Sequence, residues 1–278
     1  LAARAKERGI PVFSYIPPSA WAWRKGRAKS CAALADEIVA IFPHELPPYE
    51  AAGANISFVG NPLIDTVHAE MEPEEARIHF GIRAEDVPIL LMPGSRREEI
   101  ERLLPPMLGA AEILAAEDPA RRFFLPVAGG VDVTQIEGHL AVSSVTVTLT
   151  HDARYALMGI ARAAIAASGT VVMEAAIMGL PAVVLYRMSA LSYFVGRLLV
   201  DVPRFSLPNI LVGETFETEL LQDEVQPERI AEAMERIIAD GADRAYVMDC
   251  LARAVAKLGE PNAARRVAEK ILALAKRT

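Results

Sequence analysis

The chain has 278 residues, a formal net charge of -7 and 52% apolar residues. That length allows one large or two medium domains with a sizeable core, and the acidic balance argues against nucleic acid as the main partner. No apolar run reaches membrane-spanning length. The two cysteines, Cys31 and Cys250, and the five histidines, His44, His68, His79, His139 and His151, lack metal-ligand or triad spacing. No metal or cofactor is therefore expected, and both thiols read as reduced.

In chain order, Leu1–Gly9 is a charged helical pattern, followed by a strand at Val12–Ile16. A helix at Lys25–Ala35 and strands at Glu37–Ile41 and Ile56–Val59 come next. Gly60-Asn61-Pro62 ends the third strand, and Glu70, Glu72, Glu74 and Glu75 read as a solvated linker. Beyond it, helices at Pro73–Phe80, Glu98–Ala116, Asp152–Ala161 and Thr170–Met178 alternate with strands at Ile89–Met92, Arg122–Pro126, Val145–Leu149, Ala163–Ala166 and Ala182–Tyr186. Helices at Ala190–Val200, Pro227–Ala239, Ala242–Leu258 and Asn262–Ala275 complete the chain. Several strands are continuously apolar, as in parallel sheets covered on both faces. The pattern predicts an α/β doubly wound architecture. Residues 1–65, joined by 260–278, read as the remainder of a first Rossmann-like domain, and 66–259 as a second. A doubly wound half opens with a strand, so the first piece reads as beginning within a domain.

Two turns share one design. An apolar strand runs into Ser168-Gly169-Thr170, and a helix follows with Glu174 on the same face as Thr170. Another strand runs into Pro93-Gly94-Ser95-Arg96, where Ser95 could cap the next helix with Glu98 completing a capping box. Glycine lets backbone approach a ligand, and a helix start aims free N–H groups at an anion. An arginine there suits a diphosphate, and Glu174 suits sugar hydroxyls. Plain βα turns with capping residues are the competing reading. Downstream, Tyr186-Arg187-Met188 and Ser206-Leu207-Pro208-Asn209 offer an Asn209 amide in a Pro-restricted loop, suited to a base or sugar. Both tryptophans, Trp21 and Trp23, stand beside Arg24, Lys25, Arg27 and Lys29, a grouping suited to a membrane interface or an anionic amphiphile. Ala190–Val200 is apolar nearly all round, as a core helix or a lipid-facing segment would be. No P-loop, G-x-G-x-x-G or hydrolase triad is present.

Pro18-Ser19-Ala20-Trp21-Ala22-Trp23, Pro93–Arg96, Ala167–Thr170 with Glu174, Tyr186–Met188 and Ser206–Asn209 together resemble the lipid-A-disaccharide synthases over essentially the whole chain. The resemblance implies a GT-B glycosyltransferase of two Rossmann-like domains, the first incomplete here. It implies transfer of 2,3-diacylglucosamine from UDP-2,3-diacylglucosamine to 2,3-diacylglucosamine 1-phosphate (lipid X), at the cytoplasmic surface of the inner membrane and without metal. It assigns the donor's UDP to Gly94, Ser95, Arg96, Ser168, Gly169, Thr170, Glu174, Tyr186, Arg187 and Asn209, and the acceptor cleft or membrane to Trp21, Trp23, Arg24 and Lys25.

Two departures stand out. Asn61 replaces the His of a common Gly-His-Pro pattern. The Gly-rich loop and the Asp that supplies the family's general base have no match, so they are expected upstream of Leu1, and the chain alone would turn over poorly or not at all. The alternatives are an enzyme like UDP-N-acetylglucosamine 2-epimerase, suggested by Gly60–Asp65, and a UDP-sugar-binding fragment without catalysis. The last helix leaves apolar surface that could support self-association.

Overall fold

A computed structural model describes residues 1–20, 26–188 and 203–276. The expected helix at 190–200 and the segment from Trp21 to Lys25 lie outside the described residues. The chain divides into two compact units, one made of 1–66, 191–203 and 256–278, the other of 67–190 and 204–255.

In the first unit, α1 (Ala2–Glu7), β1 (Phe13–Tyr15), α2 (Gly26–Leu34), β2 (Glu37–Ala40), α3 (Leu46–Glu50), β3 (Ile56–Phe58) and α4 (Leu63–Thr66) follow one another. The three strands form a parallel sheet in the order β1-β2-β3. Ile38, Val39 and Ala40 of β2 are fully buried, and Ile38 packs with Tyr49 and Ala28. The buried Tyr49 hydroxyl donates to the Pro18 carbonyl at 2.6 Å, tying down the backbone just before the tryptophan segment. Ile16 has a φ of 57°, a left-handed conformation that a β-branched residue rarely takes. Asn61 is fully buried. Its Nδ2 donates to the Ile41 carbonyl at 2.9 Å, and its Oδ1 accepts from the Leu63 N–H at 2.9 Å, which starts α4. This gives Asn61 a backbone-stitching role.

The second unit begins with α5 (Pro73–His79) and β4 (Val87–Met92). It continues through α6 (Arg97–Glu117), β5 (Arg121–Pro126), α7 (Val133–Leu140), β6 (Val147–Thr150), α8 (Arg154–Ile160), β7 (Ala163–Ala167), α9 (Thr170–Ile177) and β8 (Ala182–Tyr186). It closes with α10 (Leu207–Val212), β9 (Glu219–Leu221), α11 (Pro227–Ile238) and α12 (Ala242–Ala256). The last helix, α13 (Ala263–Ala275), belongs to the first unit, where Lys270 pairs with Glu37 at 2.7 Å.

The large sheet is all parallel, in the order β6-β5-β4-β7-β8-β9. Numbered from its first strand, this is the doubly wound order in which the chain reverses direction between the first and fourth strands, here β4 and β7. β4 and β7 are central and almost wholly buried, which explains their unbroken apolar sequences. Leu90 and Met92 of β4 pack with Phe124, with Ala164 and Ala166 of β7, and with Val172 of α9.

The structure departs from the sequence expectation in several places, among them the unexpected helices α3, α4 and α7. Residues 207–212 form a helix rather than a loop, and Pro208 fits because a helix's first turn needs no N–H from it. β9 has only three residues, too few for any period to show. Glu70 is not simply solvated. Its carboxylate accepts from the Ala156 N–H at 2.8 Å, satisfying a donor in the first turn of α8.

Candidate functional site

Where a doubly wound sheet reverses, the loops after the two neighbouring strands separate and leave a crevice at their carboxyl ends. Here a cavity of about 420 Å³ occupies that place. Its walls are the turn after β4 (Met92 to Arg96, with Glu99), the end of β5 (Pro126 to Ala128), the turn after β7 (Ala167 to Val171, with Glu174), and Arg154 and Met158 of α8. The structure thus brings Gly94, Ser95, Arg96, Ser168, Gly169, Thr170 and Glu174 together around one cavity.

The turn after β4 is closed by its own helix. Residue 96, not Ser95, is the N-cap of α6, and Glu99 rather than Glu98 completes the arrangement. The Glu99 carboxylate accepts the N–H groups of Ser95 and Arg96, each at 3.3 Å, and pairs with the Arg96 guanidinium at 2.5 Å. The helix register sets the cap, and position N3 falls on Glu99. Gly94 has a φ of 105°, strained for any residue with a Cβ, and a Cβ there would push the Glu99 carboxyl aside, so glycine is favoured. Arg96 itself is 81% exposed.

The turn after β7 is built differently. Ser168 holds it at both ends: its N–H donates to the Leu185 carbonyl at 2.8 Å, and its hydroxyl donates to the Phe205 carbonyl at 3.2 Å. Gly169 is extended, nothing crowds its Cβ position, and no side chain caps the N-terminus of α9. One turn on, Glu174 is buried with its side chain 11% exposed, and its Oε2 lies 3.1 Å from the Arg154 guanidinium.

Arg154 lacked any sequence signal. It starts α8 immediately after Ala153, whose φ of 46° places a residue with a Cβ in the left-handed region. Its guanidinium sits 4.6 Å from the centre of the Tyr155 ring and donates to the Tyr155 hydroxyl at 2.6 Å. Partial burial would pull its pKa down. The Tyr155 hydroxyl and the charges of Glu174 and Glu70 outweigh this and leave it raised.

Three expected site residues do not line the cavity. Tyr186 is exposed, its ring tilted against Phe205 with centroids 5.8 Å apart, and Arg187 follows it outside the lining. Asn209 is fully buried, and its amide is completely used. Its Nδ2 donates to the Glu217 carbonyl (2.9 Å) and to Glu219 (2.7 Å), while its Oδ1 accepts from the N–H groups of Phe216 and Glu217 (3.0 Å each). Asn209 therefore supports the loop that meets Ser168 and has nothing left for a base or sugar. Beside it, Ser206 donates to the fully buried Glu217, whose pKa is pushed up to about 8 by burial and by the charge of Glu219. Glu219 also accepts from the N–H groups of Phe205 (2.9 Å) and Ser206 (3.0 Å).

Among the described residues no cluster of histidine, cysteine or acidic side chains could hold a metal ion. Among them, too, no helix is long and apolar enough to cross a membrane.

Parallel Rossmann-like sheets, the larger with its cavity at the point where strand order reverses, define an α/β fold of GT-B type. The UDP-N-acetylglucosamine 2-epimerase of Neisseria meningitidis, solved with UDP-N-acetylglucosamine bound, superposes with a TM-score of 0.65. It covers 98% of this chain and 72% of its own, at 16% identity, so the likeness is one of fold. Sequence comparison goes further. The family model for lipid-A-disaccharide synthetase matches residues 1–273. The lipid-A-disaccharide synthase of Syntrophus aciditrophicus is 42% identical over 279 residues, covering 100% of this chain and 73% of that protein. That of Anaeromyxobacter dehalogenans strain 2CP-C is 42% identical over 273 residues, covering 98% and 71%. The chain belongs to the lipid-A-disaccharide synthetase family, and with it to the hexose-transferring glycosyltransferases.

Proposed function

We propose that the chain carries the donor site for transfer of 2,3-diacylglucosamine from its UDP ester to the 6-hydroxyl of 2,3-diacylglucosamine 1-phosphate, with the cavity at the β4–β7 reversal holding the UDP part of the donor. The reaction releases UDP and passes the hydroxyl proton to a general base not assigned to any residue of this chain. One observation carries the assignment of the cavity: the N-terminus of α9 opens into it with no side-chain cap. Breaking the donor's anomeric C–O bond leaves negative charge on the β-phosphate. Uncapped N–H groups and a helix dipole at Gly169–Val171 stabilise that charge more in the transition state than in the ground state. Arg96 adds a guanidinium from the opposite wall. Glu174 is suited to accept hydrogen bonds from sugar hydroxyls of the donor. The acylated acceptor and the inner-membrane surface fall to the segment of Trp21, Trp23, Arg24 and Lys25, on the strength of its aromatic and cationic residues.

Calorimetry with UDP, paired with an assay using donor and lipid X, tests this. Thr170→Glu sets a carboxylate at the first turn of α9. It should weaken UDP binding at least tenfold, since like charges about 4 Å apart repel by up to about 4 kcal/mol near a surface. The same change should leave the fold as stable or raise its stability by about 0.3–1 kcal/mol through the helix dipole. Undiminished UDP affinity in Thr170→Glu would remove the α9 terminus from the site. UDP binding with little or no product would fit a donor site without the family's general base, whereas turnover at the rate of a longer relative would overturn the missing-base expectation.

A further inference from the structure

The cavity lining carries two arginines and two carboxylates, Arg96 and Arg154 against Glu99 and Glu174. Formally these cancel, yet a nucleoside diphosphate brings at least two negative charges. Arg96 gives one nitrogen, Nη1, to Glu99, which in turn holds the Ser95 and Arg96 N–H groups. The backbone N–H groups of the turn after β4 are therefore taken by its own cap, and Arg96 brings a single positive charge against the two of a diphosphate. The question is what else in the cavity can meet the second charge.

Arg154 meets the requirements. Both of its polar interactions, with the Tyr155 hydroxyl and with Glu174, run through the same terminal nitrogen, Nη2. Among the described residues its Nη1 and Nε make no hydrogen bond, which leaves one edge of a planar five-donor group uncommitted. The side chain is 49% exposed and lines the cavity. Its start on α8 is set by the left-handed Ala153, a conformation that costs energy and is retained where the surroundings demand it. Its neighbour Glu174 has a buried Oε2 that no well-aligned hydrogen bond satisfies, so that carboxylate depends on the Arg154 charge.

We propose that Arg154 is a diphosphate-binding residue of this cavity, one nitrogen steadying Glu174 and the uncommitted edge donating to phosphate oxygens of the nucleotide. The inference rests on the reading of the cavity as the donor site. In this arrangement a single guanidinium neutralises the carboxylate that faces the sugar hydroxyls and binds the adjacent anion, so Glu174 and the diphosphate can share a small space without repelling one another. Arginine suits this because its fork spans two acceptors, whereas lysine offers one point charge.

The test compares UDP with uridine on the full chain, by calorimetry or ligand-observed NMR, for the unaltered protein, Arg154→Ala and Arg154→Lys. Loss of a charged hydrogen bond should weaken UDP binding by roughly 10- to 100-fold in Arg154→Ala. Uridine, which lacks phosphate, should bind almost as before, and Arg154→Lys should recover part of the UDP affinity. UDP and uridine weakened by the same factor would reduce Arg154 to a support for Glu174 and overturn the proposal. So would an unchanged UDP affinity in Arg154→Ala. If the unaltered protein fails to bind UDP, the donor-site reading falls as well. Binding by the unaltered protein with no effect of Arg154→Ala sinks this inference alone.

Discussion

The two turns that flank the cavity look alike in sequence and behave as opposites. Each is an apolar strand, a glycine and a helix. After β4, the carboxylate at the third helical position folds back, takes the N–H groups and pairs with Arg96. After β7, the third helical position is the buried Val172, and no side chain reaches the helix start. One residue type three places into a helix decides whether its N-terminus satisfies itself or stays available to a ligand. The glycines differ in the same way, since Gly94 sits at a φ only glycine tolerates well while Gly169 is extended in open space.

The largest effect that would sharpen this contrast comes from below the open turn. Ser168 leans on the Phe205 carbonyl, the N–H groups of 205 and 206 are held by Glu219, and the Ser206 hydroxyl by Glu217. Glu217 has its pKa raised to about 8, so the folded state holds a proton that the unfolded chain has already released at neutral pH. The stability it confers is complete below the ordinary glutamate range and is lost as pH rises through about 8. Glu217→Gln should therefore gain stability on the unaltered protein by a few kcal/mol between acid and mildly alkaline pH, since each pK unit is worth about 1.4 kcal/mol. Denaturation midpoints across that range would show it, and parallel curves for the two proteins would count against a buried protonated Glu217. UDP affinity should fall over the same interval in the unaltered protein only.

A smaller effect comes from the glycines. Gly94→Ala should cost about 1–3 kcal/mol in a urea melt, because a left-handed alanine is strained and its methyl meets Glu99. Gly169→Ala should stay within about 1 kcal/mol of the unaltered protein and could stabilise it, as the backbone is already extended. Equal costs at the two positions would break the comparison. The smallest effect is expected from Glu99→Gln, which keeps an acceptor for the Ser95 and Arg96 N–H groups but removes the charge that occupies Arg96. UDP should bind severalfold tighter to it, with the largest difference at low ionic strength. Weaker binding would mean that Glu99 aims Arg96 rather than competing for it.

Much of this was legible in the chain because the chemistry is local. The apolar runs of β4 and β7, the glycine turns and Glu174 one helical turn past Thr170 all announce themselves within a few residues. Even the closed state of the first turn could have been read from Glu99 standing opposite Val172. Arg154 could not, because its place depends on a left-handed alanine, and neither glycine nor asparagine marks the spot. Asn209 misled for the converse reason. Its position suggested a ligand contact, whereas its four hydrogen bonds run from its helix to residues 216–219, folded back against it at the start of β9.

Glu70 carries a consequence for how the chain can vary. Segments between compact units ordinarily tolerate insertion and deletion, because their exact length matters little. This one delivers a carboxylate to the first turn of α8, 86 positions onward and two residues past Arg154. Added or lost residues between Val67 and Glu72 would pull that carboxylate out of register and uncap the helix on which a cavity wall is mounted. The stretch that reads most like spare cord is a strut of fixed length.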